Sequence, residues 1–245
     1  MSEGRLIGVG LGPGDPELLT VKAVRVIQGA PVVAYFAKAG RRGNARAIVD
    51  SWLTAANEEL PLYYPVTTEV PFAAPVYRSA LAAFYEQSAE RIGAHLREGR
   101  DVALLSEGDP LFYGSFMHLF ARLKGRFATS IVPGVPGMCG AWSAASIPIT
   151  WGDDVMVVAP GTLPLEDLIA RLKHADAAAI MKIGRNLAKV REALGACGML
   201  GRAIYVERAT APSEIVMPLA DRPDEVAPYF SMVLVPGDGR RPASR

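Results

Sequence analysis

Asp101-Val102-Ala103-Leu104-Leu105-Ser106-Glu107-Gly108-Asp109-Pro110-Leu111-Phe112-Tyr113-Gly114 decides how this chain is read. A short, mostly apolar run that stops abruptly on Gly-Asp-Pro describes a buried strand emptying into a sharp turn. Gly108 lets another molecule approach the backbone, Asp109 offers a carboxylate acceptor, and Pro110 stiffens the exit. Open α/β sheets place ligands at such strand ends. An ordinary strand-to-helix turn, in which Asp109 serves only local amides, reads equally well from these residues alone.

Outward from this stretch, the chain alternates between strand and helix patterns. Before it, Tyr77, Leu81, Phe84, Ile92 and Leu96 recur at helical spacing over residues 76–98, and Gly99 ends the run. After it, Phe116, Leu119, Phe120 and Leu123 mark a helix closed by Gly125, with His118 as a packing or surface residue rather than a base. At the amino end, residues 5–11 read as a strand and Gly12-Pro13-Gly14-Asp15-Pro16 as its turn. A helix is expected next, with Asp15 as N-cap, Pro16 at its first position and Gly29 at its end. The glycines invite comparison with a dinucleotide fingerprint, but from Gly8, Gly10 or Gly12 the sixth position is Pro13, Asp15 or Glu17. A nicotinamide cofactor is therefore poorly supported.

Residues 31–36 and 59–64 read as strands and 44–53 as a helix. Between Pro61 and Pro75, four prolines break regular structure. Tyr63 and Tyr64 either line a cleft or cover a core edge. Residues 129–132 form another strand, and Pro133-Gly134-Val135-Pro136-Gly137 leads into small residues that let a helix lie close to a ligand or a sheet. Strands at 155–159, 177–183 and 203–207 alternate with helices at 165–173 and 187–196. Strands near 214–219 and 230–235 adjoin too closely for an intervening helix, suggesting an antiparallel pair. Two βα-rich halves are expected, residues 1–127 and 128–240, with 241–245 a flexible tail.

Composition narrows the function. The 245 residues are 50% hydrophobic, enough for two cores, and a net charge of +1 argues against nucleic acid as partner. Two cysteines and three scattered histidines argue against a disulfide scaffold or a protein-held metal. The start lacks a basic-then-apolar leader pattern, and no apolar run is long enough for a bilayer, so a cytoplasmic protein with no membrane partner is expected.

Three motifs in order, Gly10-Leu11-Gly12-Pro13-Gly14-Asp15-Pro16, Glu107-Gly108-Asp109-Pro110-Leu111-Phe112-Tyr113-Gly114 and Val132-Pro133-Gly134-Val135, resemble the tetrapyrrole methylase family over residues 4–236. The resemblance implies two αβα domains with mixed sheets, a homodimer, and S-adenosyl-L-methionine as methyl donor in the cleft between the domains. Tyr64-Pro65-Val66-Thr67-Thr68-Glu69 and Met181-Lys182-Ile183-Gly184-Arg185-Asn186 look most like the branch that methylates the C20 meso carbon of precorrin-2. Ile149-Thr150-Trp151-Gly152-Asp153-Asp154 leans towards the metal-free substrate over the cobalt-containing one. By position, the donor site would take in Pro13, the Gly108-Asp109-Pro110 turn, Phe112 and Tyr113, then Pro136, Gly137 and Met138, then Met181 with Lys182, and Ala209 with Thr210. Many relatives carry two serines at Pro136-Gly137, so any contact there would come from the main chain.

A meso carbon conjugated to pyrrole nitrogens is already nucleophilic, so alignment and exclusion of water are the main demands. Glu107 and Tyr113 are the candidate proton acceptors. An octacarboxylate substrate needs cations, and Lys38, Arg41, Arg42, Arg185 and Arg208, with Lys182, are those at loops and strand ends. Competing readings are methylation of another ring position, of RNA or of a protein histidine derivative, and a tetrapyrrole carrier or sensor without catalysis.

Overall fold

The computed structural model describes residues 2–65, 75–223 and 226–239, with the side chains of 75–78 left aside. Residues 66–69 of the Tyr64–Glu69 motif, Pro71, the Tyr77 side chain and the expected tail at 241–245 lie outside this description. The chain divides into two compact units, Met1–Pro136 and Gly137–Arg245.

The first unit runs β1 (Leu6–Gly10), α1 (Val21–Gly29), β2 (Val32–Lys38), α2 (Asn44–Ile48), β3 (Glu58–Tyr64), α3 (Pro75–Arg97), β4 (Val102–Ser106), α4 (Phe116–Leu123) and β5 (Thr129–Val132). Its strands lie in the order β3-β2-β4-β1-β5, and every pairing between them is parallel. Parallel strands need covering on both faces, which is why β1 and β4 are buried at every position and read as unbroken apolar runs. Alternate side chains go to opposite sides. Leu6, Val32, Val102 and Leu104 meet Ile92 and Leu96 of α3 and Leu119 of α4, whereas Ile7, Val9, Val33 and Leu105 meet Ala23 and Ile27 of α1 and Ala45 of α2. Gly8 faces the ring of Phe116, whose nearest atom would lie 2.5 Å from an added Cβ.

The second unit runs α5 (Gly137–Ala144), β6 (Met156–Pro160), α6 (Leu165–Leu172), β7 (Ala177–Met181), α7 (Leu187–Ala196), β8 (Ile204–Glu207), β9 (Ile215–Pro218) and β10 (Ser231–Val235). Its order is β6-β7-β10-β8-β9, with β6–β7 parallel and the rest antiparallel. The small residues after Gly137 serve helix-on-sheet packing. Ala141 is fully buried against Ala179, Val206 and Leu234, while α6 and α7 cover the other face through Leu168, Leu172 and Val190.

Four expectations are corrected. The first sheet is parallel throughout, so only the second is mixed. The division falls after Pro136 rather than at 127/128, because β5 completes the first sheet beside β1. The late strands do not pair with each other: β8 lies between β9 and β10 and is antiparallel to both, supplying the hydrogen bonds that a direct hairpin would have made. Asp15 caps only a single turn at Pro16–Leu18 through Glu17 N–H (2.8 Å); α1 starts later, where the Thr20 hydroxyl accepts from Ala23 N–H (3.1 Å), and Gly29 is its last helical residue.

Candidate functional site

In the first unit the three glycine motifs meet at the carboxyl ends of neighbouring strands. Gly108 N–H donates to Gly12 O (2.8 Å) and Gly12 N–H to Gly108 O (3.3 Å), joining the loops after β1 and β4. Gly134, after β5, closes on both. A Cβ there would stand 2.2 Å from Gly108 O and 2.8 Å from Gly10 Cα; one on Gly10 would stand 2.4 Å from Gly134 N. Backbone thus touches backbone at distances no side chain permits.

Asp109 fastens this junction. Its Oδ1 accepts from Leu111 N–H (2.9 Å) and its Oδ2 from Gly134 N–H (3.0 Å), which links loops 25 residues apart. The local-amide reading of Asp109 is therefore what the geometry shows, extended from one loop to two. Pro110 is buried behind it, and Pro13 is half-buried in the loop after β1. Beyond Pro110, Phe112 and Tyr113 pack edge to face with centroids 4.8 Å apart. Tyr113 is exposed and adopts φ 54°.

Glu107 precedes this turn. Its Oε1 accepts from Ala45 N–H at 3.2 Å. Although the residue keeps solvent-exposed surface, the protein packed around its carboxyl desolvates it and raises its pKa above the usual range, with main-chain hydrogen bonds opposing the shift. The direction suits a proton acceptor. Of the nearby cations, Lys38 ends β2 and Arg41 is exposed in the following turn. Arg42 forms a surface ion pair with Asp50, which Arg46 also reaches at 2.9 Å.

Tyr64 and Tyr63 separate into the two roles left open for them. Tyr64 stacks on Phe36 (5.4 Å, 21°) and its hydroxyl donates to Ser115 Oγ at 2.6 Å, with Tyr85 OH 3.3 Å from the same oxygen. Tyr63 is exposed and borders, with Pro65, Ala80 and Gln87, a groove of about 240 Å³. His118 is exposed and stacks on Tyr85 at 4.4 Å, a packing role. Ser115 had no signal in the sequence, because its partners come from β3 and α3.

In the second unit the candidates again sit where strands end. Met181 closes β7, and its carbonyl accepts from Gly161 N–H at 2.6 Å. Lys182 follows at φ 55° with Arg185 exposed nearby. After β8 come Arg208 at φ 47°, half-buried Ala209, and Thr210 at φ 66°. Thr210 N–H donates to the Glu214 carboxylate at 2.7 Å, tightening this turn. Met138 packs on the sheet beside Ala141 and Met232. A Cβ at Gly137 would meet only Met232 Cε, at 3.7 Å, so a serine fits there.

Among the described residues, the non-glycine positions with positive φ are Tyr113, Ser146, Lys182, Arg208 and Thr210. All but Ser146 are candidates from the sequence. Such conformations cost on the order of 1–3 kcal/mol each and persist where surrounding structure or function demands them.

The sequence reading missed Glu207, Tyr205 and Arg222. Glu207 ends β8 almost fully buried, with Tyr205 OH donating to Oε2 (2.7 Å), Arg208 Nη1 paired to Oε1, and Arg222 Nη2 3.9 Å from Oε2. Burial first, and then the Glu207 hydrogen bond, push the Tyr205 phenol up to about 12. A carboxylate ending an apolar strand was the available signal. Among the described residues, no cluster of three or more His, Cys, Asp or Glu side chains could hold a metal ion, and no helix is long and apolar enough to cross a membrane.

Residues 5–221 match the family Tetrapyrrole (Corrin/Porphyrin) Methylases. A precorrin-2 C(20)-methyltransferase from Sinorhizobium sp is 56% identical over 239 residues, covering 98% of both chains. A cobalt-precorrin-2 C(20)-methyltransferase from Salmonella typhimurium is 27% identical, covering 95% of this chain and 96% of its own. The crystal structure of a uroporphyrin-III C-methyltransferase from Thermus thermophilus complexed with S-adenosylhomocysteine shares the fold, with a TM-score of 0.64 at 21% identity over 95% of this chain and 92% of that one.

Proposed function

The chain belongs to the tetrapyrrole methylase family, and we propose that it transfers a methyl group from S-adenosylmethionine to the C20 meso carbon of precorrin-2, giving precorrin-3A in cobalamin biosynthesis. The observation that carries this reading is 56% identity, along 98% of both chains, to an enzyme of that activity. The metal-free substrate is favoured over the cobalt form by the same comparison, 56% against 27%.

The donor supplies a methyl group on a cationic sulfonium. We assign to it the loops after β1 and β4 in the first unit and those after β7 and β8 in the second, with Met138. These residues fit such a group. At the glycine junction the amides of Gly12, Gly108 and Gly134 are taken up by Gly108 O, Gly12 O and Asp109 Oδ2, so the junction sets how closely the loops approach, and Asp109 holds them together rather than forming a fixed countercharge. Main-chain contacts position the donor without the desolvation cost of a buried ion pair. Holding donor and meso carbon in line and away from water can contribute about 7 to 11 kcal/mol.

Once carbon attack has occurred, the C20 proton must leave. Glu107 is our candidate acceptor, because desolvation makes its carboxylate more basic; Tyr113, exposed on the same loop, is the second. Lys38, Arg41, Lys182, Arg185 and Arg208 are the cations we assign to the substrate carboxylates. A cytoplasmic homodimer acting on a small molecule, without nucleic acid, membrane or bound metal, completes the proposal.

The experiment is a reaction of the purified chain with precorrin-2 and S-adenosylmethionine, with the product identified by mass and by the NMR position of the new methyl. A C20-methylated product is expected. A methyl at any other ring position, or turnover only with the cobalt-loaded substrate, rejects the assignment.

A further inference from the structure

We infer that Glu207 is a positioning residue which, together with Tyr205, holds the Arg208 guanidinium ready for a carboxylate of the tetrapyrrole. The inference rests on the tetrapyrrole substrate proposed above and assigns a task to a buried group that the chemistry does not otherwise use. Glu207 is 3% exposed at the end of β8, between Ser231 of β10 and Ile215 of β9. A carboxylate so placed is costly unless hydrogen-bonded and paired. Tyr205 OH and Arg222 satisfy Oε2, at 2.7 and 3.9 Å, and the Arg222 guanidinium also lies over the Tyr205 ring at 4.7 Å.

Arg208 is a second cation against the same carboxylate, and the two differ in exposure: the Arg222 side chain is 13% exposed and that of Arg208 is 42% exposed. The backbone points the same way. Arg208 N–H still donates to Phe230 O (2.8 Å) as though the strand continued, yet its φ is 47°, and Thr210 two residues on is also left-handed. An Arg–Glu pair placed only for stability would have no need of an arginine in a disfavoured conformation. A guanidinium presents five donors in a planar fork, so one edge can rest on Glu207 while another takes a second carboxylate.

The test titrates uroporphyrin III, a fluorescent octacarboxylate tetrapyrrole, against the full chain and three variants, with S-adenosylhomocysteine affinity measured in parallel by calorimetry. Arg208→Gln should weaken porphyrin binding roughly tenfold or more, as for loss of a charge-assisted hydrogen bond. Glu207→Gln should weaken it about three- to tenfold in the parent and not at all in the Arg208→Gln background, because its effect passes through that side chain. S-adenosylhomocysteine affinity should fall by less than porphyrin affinity, since the donor is assigned to Ala209 and Thr210 of this loop rather than to the Arg208 side chain, and an equal fall in both overturns the inference. Should Glu207→Gln fail to fold, Tyr205→Phe, which keeps every charge, carries the same cycle with a smaller expected loss. Equal weakening in both backgrounds, or unchanged porphyrin binding in Arg208→Gln, overturns the inference. Wild-type porphyrin binding without C20 methylation would instead count against the proposed reaction alone.

Discussion

Gly134→Ala tests whether the glycine junction organises the site. Gly134 is not among the positive-φ glycines, so alanine brings a steric change without backbone strain. The new Cβ would stand 2.2 Å from Gly108 O, where the closest comfortable C···O approach is about 3.3 Å. The loops must therefore separate by about 1.1 Å, the difference between those distances. The same movement pulls Gly134 N–H from its 3.0 Å bond to Asp109 Oδ2. Overpacking of this kind costs roughly 1–3 kcal/mol, and a 1 Å misplacement near reacting groups costs about a hundredfold in rate. Urea unfolding should show that loss of stability, and methylation assays a fall in kcat/KM of about two orders of magnitude. Gly137→Ser is the control: its Cβ meets only Met232 Cε at 3.7 Å, so stability should match the parent within about 0.5 kcal/mol. Parent-like stability and parent-like turnover in Gly134→Ala would refute the argument.

Asp109→Asn keeps shape but can present only one oxygen to the N–H groups of Leu111 and Gly134, so about 1–3 kcal/mol of stability should be lost in chemical denaturation. An unchanged midpoint would remove Asp109 from its fastening role. Tyr205 predicts an alkaline limit. Its phenol rises from 10.0 to about 12 on folding, so the folded state retains a proton that the unfolded chain releases. The associated stability is complete below pH 10 and disappears as pH climbs to 12, a loss of roughly 3 kcal/mol. Tyr205→Phe should flatten stability measured over that window; an unaltered alkaline slope would contradict the assignment.

How much could be read beforehand follows the range of the contacts involved. Continuous apolar runs at β1 and β4 were legible because parallel strands are covered on both faces, and the helices of the first unit because their apolar positions recur on one side. The glycine loops were legible because close backbone approach leaves a residue-type signature at each position. Less was visible where a choice depended on partners. Asp15 and Thr20 are both N-caps with extended backbone, and only the break at Leu19, itself extended, ends the first turn and leaves Thr20 to start α1. The strand at Thr129–Val132 looks the same in either unit until β1 offers it a free edge. The Glu207 cluster brings Tyr205 and Arg208 together with Arg222, which is distant in sequence, and nothing local marks that meeting.

By itself, then, the order of residues settled which segments are strands and helices, where the chain turns tightly, and to which family of methyl-transfer enzymes it belongs. Local sterics and burial periodicity act over a few residues and are written in them directly. Tertiary structure alone decided that Asp109 spans two loops, that β8 separates β9 from β10, and that a buried carboxylate stands behind Arg208. Each of these depends on strands and loops brought together from far apart in the chain, and such pairings acquire their energies only once the intervening segments have folded.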